Sequence, residues 1–108
     1  MVFYFMKVHI ESNKHAKLLN DYRQLIRKYG QQQAGCIQEV LEILSAADCL
    51  LDIPKSLRPH PLEPKSDKLF AFDLKHPFRF IVKASGSFTL SDYSTIKEVL
   101  FVDIKNYH

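Results

Sequence analysis

Two cysteines and three glycines in 108 residues are too few for two structural classes. Cys36 and Cys49 cannot build a disulfide framework of the kind that staples small secreted domains. They lie 13 positions apart in a segment that reads mostly as helix. If that segment is one helix, its rise of about 1.5 Å per residue sets them too far apart to bond. Three glycines and five prolines exclude collagen-like and low-complexity chains. No apolar run approaches the ~18 residues of a membrane-spanning helix. The first ten residues, MVFYFMKVHI, have no basic leader and no small-residue cleavage site, so no signal peptide is expected. CxxC and HExxH are missing, and the five histidines show no metal-ligand spacing. No phosphate-cradling glycine loop and no GxSxG occurs. The expectation is a reduced, cytoplasmic, metal-free and cofactor-free protein.

What is present is enough for one core. Hydrophobic residues make up 46% and charged residues 25%, the proportions of a soluble globular domain. A single domain over 1–108 is expected. The net charge of +3 hides strong local variation. Residues 1–30 carry six bases and two acids, residues 31–53 four acids and no base, and residues 54–84 seven bases and three acids. Alternating blocks of this kind predict a polarised surface, and a basic face suits a polyanion such as nucleic acid.

The apolar pattern predicts the elements. Residues 2–10 read as a strand. Ser12 or Asn13 can cap a helix whose stripe is Leu18, Tyr22, Leu25, Ile26 and Tyr29, with Gly30 just past its end. A second helix is expected near 32–47, with Ile37, Val40, Leu41 and Leu44 inward, forming a helical hairpin with the first. Residues 54–68 hold four prolines and five basic residues counting His60, and read as a loop with a short edge strand around Arg58–Leu62. The period then becomes two. Phe70, Phe72 and Leu74, then Phe78, Phe80 and Val82, predict a β-hairpin about His76-Pro77. A last strand is expected over 96–104, with Val99, Phe101 and Asp103 on one face and Leu100, Val102 and Ile104 on the other. The fold class is α+β, ordered β-α-α-β-β-β, two helices on a mostly antiparallel twisted sheet.

The candidate chemistry lies in the basic C-terminal half. His60, Lys65, Lys68, Arg79, Lys83, Tyr107 and His108 are residue types suited to metal-free RNA cleavage. Histidine moves protons near neutral pH. Arginine and lysine stabilise charge on a phosphate. Tyrosine stacks on an unpaired base. Taken singly, each has an ordinary structural reading, and Arg79 in particular can be a strand cation paired to Asp73.

Three segments together resemble a known family. His60-Pro61-Leu62 followed by basic residues, FAFDLKHPFRFIV at 70–82, and the terminal VDIKNYH are similar to segments of HigB-like killer toxins. Some of these are called killer suppression proteins. They belong to the RelE/ParE superfamily of bacterial toxin–antitoxin systems. The resemblance implies a RelE/ParE-like fold. It implies a cytoplasmic mRNA endonuclease, or mRNA interferase, that acts on the ribosome to inhibit translation. It also implies a helix-turn-helix antitoxin as partner in a toxin–antitoxin complex. Residue by residue, His60, Arg79, Tyr107 and His108 match the family's functional positions, with Lys65, Lys68 and Lys83 left to hold RNA phosphates. Two positions depart. Glu63 stands where the family has a lysine, and Asn106 where it has an acid. These departures favour an alternative: a non-nuclease toxin-fold module that binds an antitoxin or targets gyrase.

Overall fold

A computed structural model describes residues 6–106. It is an α+β domain of three helices and one mixed five-stranded sheet. The helices are α1 (Asn13–Asn20), α2 (Tyr22–Tyr29) and α3 (Gln31–Ala46). The strands are β1 (Lys7–His9), β2 (His60–Pro61), β3 (Leu69–Asp73), β4 (Phe78–Ser85) and β5 (Glu98–Asn106), and they lie side by side in the order β1-β5-β4-β3-β2. β1 runs parallel to β5, and every other pair is antiparallel.

The first expected helix is two helices. Ser12 caps α1 by accepting from the His15 amide at 3.3 Å. Asp21 then interrupts, with extended backbone (φ −119°, ψ 99°). Its Oδ1 accepts from the amides of Arg23 and Gln24 at 3.0 and 3.4 Å, which starts α2 afresh. A short carboxylate that satisfies two otherwise orphan amides competes with helix continuation. Gly30 alone joins α2 to α3 at φ +87° and ψ 161°, a region essentially reserved for glycine.

α3 presents Ala34, Ile37, Val40 and Leu44 as one buried stripe. Leu19 of α1 and Leu25 of α2 complete the helical side of the core. The sheet supplies Phe70, Phe72, Phe80, Val82, Val99, Phe101 and Ile104. Burying each large apolar side chain contributes about 1.5–3 kcal/mol.

The last strand departs from the expected alternation. Val82 pairs with Phe101 but Ile81 pairs with Asp103, so Val102 is an extra residue in β5. This bulge swaps the faces beyond it. Ile104 joins Val99 and Phe101 in the core, and Asp103 turns to the other side with Ile81. The expected strand over 2–10 is short: β1 is Lys7–His9, and residues 1–5 lie outside the described residues. The edge strand expected at Arg58–Leu62 is β2, paired to β3. Cys36 and Cys49 are both free thiols. No helix among the described residues is long and apolar enough to cross a membrane.

Candidate nucleic-acid interface

Register decides which side chains share the sheet face away from the helices. Opposed residues of an antiparallel pair point the same way. One row across that face is therefore His60, Ala71, Ile81 and Asp103. The next row, toward the β3–β4 turn, is Asp73, Arg79 and Lys105. On the other side of the first row lie Leu69, Lys83 and Leu100, then His9 of β1. His60, Arg79 and Lys83 thus occupy one face. Strand spacing and rise put the His60 and Arg79 backbones roughly 12 Å apart, a gap their side chains can span around one phosphate.

His60 is held in a defined state. Its Nδ1 lies 2.6 Å from the Arg58 carbonyl oxygen. A carbonyl can only accept, so Nδ1 donates, and in the neutral ring the lone pair is on Nε2. Arg58 makes this contact from a left-handed conformation, φ 48° and ψ 55°, at the end of a 3₁₀ turn. Such a backbone costs about 1–2 kcal/mol in a residue with a side chain.

The same Arg58 joins Arg79 on one acid. Arg58 Nε is 3.3 Å from Asp73 Oδ2, and Arg79 Nε is 3.7 Å from Asp73 Oδ1. Asp73 and Arg79 are cross-strand partners, so the hairpin itself brings them together. With His76, these three side chains line a small hollow of about 160 Å³. The turn beneath it is anchored to α3. Buried Gln33 donates to the Lys75 carbonyl at 2.9 Å and accepts from the Lys75 amide at 3.0 Å.

Lys65 and Lys68 do not join this cluster. Both belong to the loop before β3, around a 3₁₀ turn at Lys65–Asp67. Lys68 lies five residues before Asp73 along β3, about 17 Å away at strand rise. The two lysines instead border a cavity of about 480 Å³ at the opposite end of β3. The 3₁₀ turn sets them at the loop end of the strand, apart from the His60–Arg79 cluster. Tyr107 and His108 lie outside the described residues.

Reading the sequence for this site missed Arg58, Gln33 and the bridging role of Asp73. The Asp73–Arg79 pair has a visible signal, since both residues stand three positions from the His76 turn. Arg58 and Gln33 have none, because their partners are set by a left-handed residue and by helix docking. Tyr29 of α2 was read as core stripe. It stacks edge-on against Phe78, with centroids 5.9 Å apart. Burial first, and the negative charge of Asp103 second, raise its hydroxyl pKa above the ordinary 10.0. No group of three or more His, Cys, Asp or Glu among the described residues is placed to hold a metal ion.

The architecture and the rows of charge define a small α+β domain with a mixed sheet, one face of which carries His60, Arg79, Lys83 and Lys105 beside Asp73 and Asp103. Comparison with protein-family models, curated proteins and solved structures returned no match.

Proposed function

We propose that this domain is a metal-independent endoribonuclease and the toxin of a type II toxin–antitoxin pair of the HigB-like kind. The observation that carries the reading is the Arg58 hub. Its carbonyl fixes the His60 tautomer while its guanidinium shares Asp73 with Arg79. A base with a committed lone pair beside two oriented cations is what cleavage at a ribose 2′-hydroxyl needs.

In this mechanism His60 Nε2 takes the 2′-hydroxyl proton as that oxygen attacks its own phosphorus. The P–O2′ bond forms and the P–O5′ bond breaks. The products are a 2′,3′-cyclic phosphate and a 5′-hydroxyl end. Arg79 and Arg58 meet the charge that builds on the phosphate oxygens. Lys83 and Lys105, on the same face, suit the phosphates on either side. In this reading His108, which shares the acid–base work with His60, protonates the leaving 5′-oxygen and Tyr107 stacks on a base; the resemblance matches both to functional positions. The substrate in this reading is mRNA on the ribosome, in the cytoplasm, and the partner is a helix-turn-helix antitoxin.

The test is induction in a bacterial host with mapping of RNA 5′ ends. New ends that vanish with His60→Ala support the reading, and identical ends from wild type and His60→Ala sink it. A non-catalytic, partner-binding module is the second reading. Asp73 favours it, because one carboxylate already sits between both arginines. That reading expects no new RNA ends with either protein and a small partner that co-purifies with both.

A further inference from the structure

The cavity at the loop end of β3 has its own chemistry. Pro61 and Leu90 give it apolar walls, Tyr93 an aromatic one, and Lys65, Lys68 and Ser91 its polar groups. At about 480 Å³ it falls within the size range of small-molecule sites, and its mix of apolar wall and few polar groups is typical of them. Tyr93 is braced edge-on by buried Phe70, with centroids 5.3 Å apart and rings at 90°. That bracing fixes the orientation of the tyrosine ring. The Lys68 ammonium lies 5.4 Å from the centre of the Phe88 ring, which steadies it without neutralising it. Lys65 opens a 3₁₀ turn and Lys68 follows its end in a left-handed conformation, φ 59° and ψ 32°, and both line the cavity. Glu63 and Asp67 belong to the same loop but do not line the cavity. Two adjacent cations beside a fixed aromatic wall match a planar ring carrying a phosphate.

We propose that this cavity is a nucleotide subsite, distinct from the His60–Arg79 cluster, that takes one unpaired base against Tyr93 and Leu90 and its phosphate across Lys65 and Lys68. The proposal deepens the nuclease reading and rests on it for the source of the nucleotide, a residue of the same RNA strand beyond the cleaved bond. The lysines then serve strand grip and not bond cleavage.

The experiment titrates the ¹⁵N-labelled full chain with AMP, adenosine and inorganic phosphate. Amide shifts are followed at residues 65–69 and 90–93. The expected result is saturable AMP binding at these amides, with adenosine and phosphate each about tenfold or more weaker. Lys65→Gln/Lys68→Gln and Tyr93→Leu should each weaken AMP about tenfold. The lysine pair is exposed and keeps the fold measurable if Tyr93→Leu unfolds. Phosphate binding as tightly as AMP, AMP shifts confined to the His60–Arg79 face, or AMP affinity unchanged in the double lysine variant would overturn the proposal. Because no cleavage is read, loss of the nuclease reading shows separately, as unchanged RNA ends with an intact AMP site.

Discussion

The two ends of β3 handle positive charge in opposite ways. At the turn end, Arg58 and Arg79 are tied to a shared carboxylate, and the turn itself is clamped to α3 through Gln33. At the loop end, Lys68 rests near an aromatic ring, and Lys65 belongs to an exposed 3₁₀ turn. The first arrangement fixes direction at the expense of net charge. The second keeps the full charge but leaves the side chains more freedom. Chemistry at a reacting phosphate needs direction, because a transition state rewards only well-placed donors. Gripping a passing strand needs charge, and tolerates motion.

The sharpest way to break this contrast is at Arg79. Replacing it with alanine removes an oriented cation and leaves Asp73 to Arg58 alone. The RNA cleavage rate at saturating substrate should fall about 10²–10³-fold, as for loss of one charge-stabilising donor. Lys68→Gln should instead raise the RNA concentration needed for half-maximal rate, with the saturated rate within about threefold. Single-turnover cleavage of one labelled RNA by both variants decides the matter. Equal loss of saturated rate from both would erase the distinction between the two ends.

A smaller effect is expected from Gln33→Ala. The change removes two hydrogen bonds and leaves the Lys75 amide and carbonyl to find water. It should cost about 1–3 kcal/mol, since the amide of Gln33 is buried. Urea unfolding gives the total. Hydrogen exchange gives the place: the Lys75 amide should exchange faster while amides at the loop end of β3 keep their rates. Unchanged exchange at Lys75 would mean that the turn is held by the β-ladder and not by α3.

How far these features were legible follows from how local their causes are. The period-two run from Phe70 to Val82 named the hairpin because alternation is a property of adjacent residues, and the Asp73–Arg79 pairing follows from it. The break at Asp21 was hidden. Leu18, Tyr22 and Leu25 keep helical spacing straight through it, and the capping geometry that wins is a competition between backbone amides. The bulge at Val102 was hidden for a different reason. The residues from Val99 to Val102 are all apolar, so nothing in the order says which one is extra until β4 supplies the register. His60 and Arg79 share a face because strands carry them. The position of Lys65 and Lys68 was not legible because a loop carries them, and proximity in sequence to His60 says little once a 3₁₀ turn intervenes.

The smallest expected effect lies under the helices, at Tyr29, and it probes the turn end through its neighbour Phe78. Burial and the charge of Asp103 raise the tyrosine pKa above 10.0 in the folded chain. The folded state therefore holds this proton more tightly than the unfolded state does. Its contribution to stability is complete below pH 10 and is lost as pH rises through the higher folded value. The melting temperature should fall above about pH 10, beyond the loss caused by other tyrosines and lysines. Tyr29→Phe cannot ionise and keeps the ring against Phe78, so its melting temperature should decline less steeply over the same interval. Asp103→Asn removes the smaller of the two causes, so the folded value moves back toward 10.0 and the total decline should be slightly smaller, with its onset unchanged. Superimposable pH profiles for wild type and Tyr29→Phe would show that the hydroxyl reaches water freely, and that the turn end of the sheet is less closely covered by α2 than the Tyr29–Phe78 contact implies.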